Sequence, residues 1–188
     1  MPESEFLERL QQEVVCRYGV APGDVRVVRS PYRICPLGAH IDHQLGAVTA
    51  MAIDRAVHVA YVALADEVRL SSLDFPGEVA FSLACVPESR DGDWGNYARG
   101  AVRALQQRYP LRYGIAGVTA GRLDGGGLSS SAAIGVALLL ALEEANGLAV
   151  AEQDNIALDQ AIENEYLGLR NGILDQSAVL LSRRDQLT

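Results

Sequence analysis

Apolar residues near the start of the chain recur at helical spacing. Phe6, Leu7, Leu10, Val14 and Val15 share one face and predict an amphipathic helix over 3–18. Pro22-Gly23-Asp24 breaks that pattern as a turn. The next segments read as strands: 25–35, which carries Arg33, then 48–53, 57–64, 68–72 and 78–83, with a polar loop over 38–46. Helical spacing resumes over 94–109 and is stopped by Pro110. A strand is predicted over 115–122, then a glycine turn, then an apolar helical run over 132–145 that Asn146-Gly147 ends. A helix over 151–166, a loop over 168–172 and a short apolar helix over 173–181 complete the pattern. Strands precede helices, with one strand between helices, which points to an α+β layer architecture rather than regular βαβ alternation. The last residues, Asp185-Gln186-Leu187-Thr188, read as the entry to a strand, so the chain is expected to be part of a longer protein.

The run Asp124-Gly125-Gly126-Gly127-Leu128-Ser129-Ser130-Ser131-Ala132-Ala133 joins a strand to a helix. Glycines there let the backbone come close to a ligand and adopt positive φ. The first N–H groups of a helix have no partner inside it and the helix dipole is positive at that end, so phosphate is the usual occupant. Three consecutive hydroxyls add donors, or a hard oxygen ligand for Mg²⁺. A flexible loop capped by serine is the alternative for this run taken alone.

Composition narrows the classes. The chain has 188 residues, 49% of them apolar, enough for one substantial core. A formal net charge of −8 and no basic patch exclude a nucleic-acid partner. There is no apolar run of transmembrane length and no basic-then-apolar start, so no membrane partner and a cytoplasmic location are expected. Cys16, Cys35 and Cys85 are widely spaced, which argues against a zinc site or a disulfide framework. All sixteen basic residues are arginine. A phosphate loop of the G-x-x-x-x-G-K type and a lysine Schiff base are therefore both excluded within this chain.

Several segments, in this order, resemble the galactokinase branch of the small-molecule kinases of the GHMP superfamily. Arg33-Ile34-Cys35-Pro36-Leu37-Gly38-Ala39-His40-Ile41-Asp42-His43-Gln44 is similar to the galactokinase signature R-x-N-L-I-G-E-H-x-D-Y-N. Gly126-Gly127-Leu128-Ser129-Ser130-Ser131-Ala132 is similar to the family's ATP-phosphate loop. Glu163-Asn164-Glu165-Tyr166 followed by Gly172-Ile173-Leu174-Asp175-Gln176 resembles E-x-x-F…G-I-M-D-Q, and Trp94-Gly95-Asn96-Tyr97-Ala98-Arg99-Gly100 resembles W-x-N-Y-x-K-G. The likeness runs from about Arg29 to Leu181. Within the branch, the phrases around Arg33 and Asp175 resemble the galacturonokinases, which phosphorylate D-galacturonate at C1.

The resemblance implies an α+β fold like the second domain of ribosomal protein S5, with a mixed sheet and helices mainly on one face. It implies one N-terminal kinase domain over 1–188, with 1–24 as helix and turn and 25–188 as the sugar- and ATP-binding core. The family's third glycine-rich motif, which belongs to a C-terminal domain, has no counterpart here. That domain is expected to be absent from this chain, and bare apolar surface then predicts self-association. The implied co-substrate is ATP, with Mg²⁺, and the implied partner is a sugar or sugar acid.

Roles follow by resemblance. Asp175 faces the anomeric hydroxyl and accepts or orients its proton; an N-cap aspartate is the alternative. Arg33 stabilises charge developing on the transferred phosphoryl; a surface ion pair is the alternative. Gly125, Gly126, Gly127, Leu128, Ser129, Ser130, Ser131 and Ala132 form the ATP-binding set. Glu163 and Ser131 are the Mg²⁺ ligands, with Ser130 as the other candidate serine, and an exposed helix glutamate as the alternative for Glu163. The sugar-binding set is Ala39, His40, Asp42, Gly172 and Asp175. Asp42 takes sugar hydroxyls, though it could simply cap a turn. A protonated His40 or His43 would pair with a carboxylate at C6. His43 stands where the family has tyrosine. Galactokinases carry glutamate where this chain has Ala39, and that glutamate holds the C6 hydroxyl. A C6 carboxylate beside glutamate would cost on the order of several kcal/mol, so alanine favours a sugar acid. Turnover of a neutral sugar, and a silent sugar-binding regulator or inactive fragment, remain competing readings. His58 is expected to be solvated, and Trp94, Asn96 and Tyr97 to pack or to anchor loops.

Overall fold

The computed structural model describes residues 2–39, 41, 44, 46–121 and 128–188. Five strands form one mixed sheet: β1 (Arg26–Leu37), β2 (Thr49–Ala65), β3 (Glu67–Ser72), β4 (Glu78–Ser82) and β5 (Tyr113–Gly121). Their order is β1-β2-β5-β3-β4, and every neighbouring pair is antiparallel except β3 with β5. The parallel pair requires a crossover, which α2 (Asn96–Gln106) supplies. The remaining helices are α1 (Glu3–Tyr18), α3 (Ser130–Asn146), α4 (Glu152–Ala161) and α5 (Leu174–Leu181). A π-helical turn, Ile162–Tyr166, extends α4.

Strand alternation sorts the side chains to two faces. Val57, Val59 and Tyr61 of β2 enter the main core with α2, α3 and α4. Ala60 points the other way, and with Val118 and Ala120 it packs beneath Phe6, Leu10 and Val14 of α1. The amphipathic stripe read in the first eighteen residues is therefore what covers the second face. α3 is apolar nearly all round, with Val136, Leu138, Leu139 and Leu142 buried, and it occupies the centre of the helical layer. The architecture agrees with the expected α+β fold, with helices mainly on one side.

Three local readings need correction. The strands expected over 48–53 and 57–64 are one strand, β2. Asp54 and Arg55 look like a turn, but β1 steps from a Pro31↔Ala56 pair to Arg33↔Ala52, so β2 absorbs its extra residues as a bulge. The helix expected to start at Trp94 starts at Asn96, because Asp93 and Arg99 organise the preceding turn. His58 is buried rather than solvated, at 5% exposure, with Phe6 packed edge-on 5.2 Å from its ring. The pattern of β2 could not reveal that α1 covers this face.

Cys16, Cys35 and Cys85 are free thiols. Among the described residues no helix is long and apolar enough to cross a membrane. Thr188 exchanges both backbone hydrogen bonds with Ala50, at 2.8 and 2.9 Å, while Asp185 stands in a turn with φ 61°, so only the last residue of 185–188 pairs as a strand would.

Two stability tests follow. Leu139 is fully buried at the centre of α3, so Leu139→Ala is expected to cost about 2–5 kcal/mol in urea unfolding. Glu143 is buried with one oxygen held by Asn155 Nδ2 at 3.2 Å, and burial raises its carboxyl above the ordinary value. A raised folded value means that stability is full below the ordinary carboxylate range and is lost as pH rises through the folded one. Glu143→Gln should therefore raise the melting temperature at neutral pH, and the gain should fade as the medium is acidified.

Candidate active site

Arg33 lies on β1 just past the bulge, and Asp175 is the second residue of α5. The Arg33 Nε donates to Asp175 Oδ1 at 2.6 Å, with both side chains largely shielded from solvent. The Ser129 hydroxyl donates to Asp175 Oδ2. The Arg33 backbone N–H reaches the Leu128 carbonyl at 3.3 Å, so β1 is stitched to the serine loop as well. Leu174 packs with Ala50 and Ala178 against Cys35 and Val48, which seats the start of α5 on the ends of β1 and β2. Asp175 makes no N-cap hydrogen bond to α5, so the capping alternative does not account for it.

Ser129 precedes α3 with φ 57° and ψ 54°, a left-handed conformation that costs a non-glycine residue energy. Its contact with Asp175 is a physical reason for holding it there. Ser130 and Ser131 are the first two residues of α3, with Ser130 exposed and Ser131 half-buried. Ser131 stands near the Tyr97 ring, and both line the cleft described below. Burial raises the Tyr97 phenol above its ordinary value, the nearby charges of Glu163 and Asp159 add to that, and Ser131 opposes it. Tyr97 is thus near both the serine loop and the acids of α4 and its π-helical extension. Ala132 is fully buried in α3.

Glu163 sits in the π-helical turn at 1% exposure, which rules out the exposed-helix alternative. Single π-turns recur at functional sites because they re-aim a side chain. Asn171 Nδ2 donates to Glu163 Oε2 at 3.0 Å, and Asn164 holds the Asn171 backbone N–H and carbonyl, both at 3.0 Å. Glu163 Oε1 has no hydrogen-bond partner among the described residues. An unpaired buried carboxylate oxygen costs more than a neutral one, and a hard cation is the natural partner for it. The donor set therefore fits Mg²⁺. Among the described residues no three acidic, histidine or cysteine side chains cluster to hold a metal, so any cation here must draw on hydroxyls, phosphates and water.

A cleft of about 440 Å³ opens beside this cluster. Phe75, Trp94 and Leu167 give it apolar walls, and Asn96, Ser130 and Ser131 line its polar side. Its rim is fixed from below. The Asn96 amide holds the Arg90 backbone at 2.6 and 3.0 Å and accepts from the buried Arg99 at 2.9 Å. Arg99 also pairs with Asp93 at 2.8 Å. Burial acts to raise the Asp93 carboxyl, but the Gly95 N–H and the Arg99 charge outweigh it and hold it below the ordinary value. Asn96 is the loop anchor expected, yet it also lines the cleft.

The structure thus brings Arg33, Asp175, Leu128 and Ser129 together, with Tyr97 near both Ser131 and Glu163. Gly172 stays close to the helix start, its carbonyl accepting from Gln176 Nε2 at 3.2 Å. Ala39 is exposed and follows Gly38, whose φ of +87° needs glycine. His40, Asp42, His43, Gly125, Gly126 and Gly127 lie outside the described residues. Two contributors were not singled out beforehand. Phe75 carried a signal as a lone aromatic before a Pro76-Gly77 turn. Ser129 was expected in the ATP-binding set, not as the hydrogen-bond partner of Asp175. Asp159, discussed below, carried only its spacing of four from Glu163.

The comparisons agree with this geometry. A family model described as the N-terminal domain of GHMP kinases matches residues 96–183, and one described as the galactokinase galactose-binding signature matches residues 15–62. A galacturonokinase from Arabidopsis thaliana is 48% identical, over all of this chain and 49% of that protein. A galactokinase from Roseiflexus is 36% identical, over 96% of this chain and 45% of that protein. A crystal structure of Lactococcus lactis galactokinase complexed with galactose superposes with a TM-score of 0.86 at 29% identity, covering 92% of this chain and 46% of that one. A mevalonate kinase from Methanococcus jannaschii, at 18% identity and a TM-score of 0.74, shares the fold. The chain spans about half the length of these relatives. Both matched segments contribute to one site, the first through Arg33 and the second through the serine loop and Asp175, and the chain belongs to the galactokinase branch of the GHMP kinase superfamily.

Proposed function

We propose that this chain is the N-terminal, sugar- and ATP-binding part of a kinase that transfers the γ-phosphoryl of ATP to the anomeric hydroxyl of D-galacturonate. The observation that carries the reading is the shielded Arg33–Asp175 pair at the mouth of the serine loop. Asp175 accepts or orients the proton of the attacking hydroxyl. Arg33 supplies fixed positive charge to the phosphoryl as its negative charge develops. Ser129 fixes the second oxygen of Asp175 and so aims the carboxylate. The cleft between Phe75, Trp94 and Leu167 suits a flat base, and the Gly125–Ala132 run suits the phosphates. Glu163 and Ser131 would hold Mg²⁺, with Ser130 the alternative hydroxyl. Bound there, the cation would neutralise charge on the phosphate oxygens.

The sugar-acid reading is supported by Ala39 and by the 48% identity to a galacturonokinase, against 36% to a galactokinase. A small uncharged residue at 39 removes the repulsion that a glutamate would exert on a C6 carboxylate. A neutral-sugar kinase is the second reading, favoured by the close superposition on a galactose complex.

The test is ADP release with Mg-ATP, comparing D-galacturonate and D-galactose, on this chain and on any longer product of the same gene. Turnover of galacturonate with little of galactose is expected. Galactose alone as substrate would overturn the sugar-acid reading, and silence from every form would favour a regulator. Activity only in a longer product would make this chain a part that needs the rest. In whichever form is active, Asp175→Asn should lower kcat at least about 100-fold, the usual scale for a positioned acid or base. Ala39→Glu should shift the preference from galacturonate toward galactose by at least about tenfold in kcat/KM, as expected for one added like charge near the sugar.

A further inference from the structure

Asp159 lies on α4, four residues before Glu163, and it is fully buried at 0% exposure. Neither of its oxygens has a hydrogen-bond partner among the described residues. It faces Gly135 of α3. A side chain there would collide with Asp159 Oδ1, and even the Asp159 Cγ would stand 3.2 Å from its Cβ. The fold thus leaves out a side chain at 135, in the middle of a helix where glycine is a poor choice, to admit a carboxylate it does not pair. Burial raises the Asp159 carboxyl well above the ordinary value, and the like charges of Glu163 and Asp175 add to that. Filling space alone would not call for an acid in this position, since an uncompensated buried charge is costly. A group of opposite charge close by would reverse that cost.

We propose that Asp159 is a positioning residue of the cation site: its carboxylate accepts hydrogen bonds from water molecules bound to Mg²⁺ beside Glu163. The inference rests on the reading of Glu163 as a cation ligand given above. Mg²⁺ keeps several waters when few protein oxygens reach it, and the described residues offer no cluster of three ligating side chains. Metal-bound waters are strong donors and need acceptors. Asp159 supplies two, both buried and both unpaired, on the helix that presents Glu163. Groups that act on a metal through its ligands or waters commonly change its affinity 10- to 100-fold, so Asp159 sets how tightly the cation is held rather than whether the chemistry is possible.

The test needs no turnover. Thermal unfolding with ADP is followed across a Mg²⁺ titration, and bound Mn²⁺ is counted by electron paramagnetic resonance, for the native chain, Asp159→Asn, Gly135→Ala and Glu163→Gln. Asp159→Asn should melt at or above the native temperature without cation, because a buried charge is gone. It should also raise the half-saturating Mg²⁺ about 10- to 100-fold. Gly135→Ala keeps every charge but displaces the carboxylate, and it should raise half-saturation too, which preserves the test if Asp159→Asn does not fold. An Asp159→Asn protein whose melting temperature moves while its Mg²⁺ and Mn²⁺ titrations match the native ones would overturn the inference and leave Asp159 a structural acid. If Glu163→Gln abolishes the cation response in that case, the reading of Glu163 survives alone. If Glu163→Gln leaves the response intact, the cation site is elsewhere and both readings fall.

Discussion

One ion pair holds the site together. Arg33 and Asp175 are 142 positions apart, on the first strand and the last helix, and they meet at 2.6 Å. Everything between them must fold before that contact exists. β1 has to bulge against β2, α5 has to seat on Ala50 through Leu174 and Ala178, and the serine loop has to reach back to the Arg33 backbone. Taking two charges out of water offsets much of their attraction, so a shielded pair is weak evidence for stability, and under the proposed function this one positions two reactive groups. The fold is fastened by the apolar layer of α2 and α3 on the sheet, with α1 on the far side.

Charge in this protein is distributed unevenly around that pair. The chain is acidic overall, at −8, and its cations are all arginines. Arg33 meets the carboxylate of Asp175. Glu163 and Asp159 have buried oxygens with no hydrogen-bond partner among the described residues. Under the proposed function, a nucleotide with its metal would bring positive charge to these acids and a polyanion to the arginine.

The sequence showed some of this and concealed the rest, for identifiable reasons. α1 was legible because Phe6, Leu10 and Val14 repeat on one face, and α3 because its caps and apolar run are long. Strand order was not legible, since β3 beside β5 is a non-local pairing that no local pattern encodes. β2 was misread as two strands because Asp54 and Arg55 interrupt the alternation where the strand bulges. Arg33, Asp175 and Glu163 were legible through motif resemblance, and their burial and contacts strengthen that reading. Ser129 as the partner of Asp175 and the Gly135–Asp159 contact were not legible. Each depends on how two helices lie against one another, and a list of residues does not give that.

The central claim is that Arg33 and Asp175 work as one unit at the reacting atoms. A double-mutant cycle on kcat/KM tests it most directly, with Arg33→Met, Asp175→Asn and the double variant measured under the same Mg-ATP and sugar conditions. The account predicts that the double variant loses about as much as the worse single one, because removing either member disables the pair. Losses that simply multiply would contradict it and would mean that the two side chains act independently.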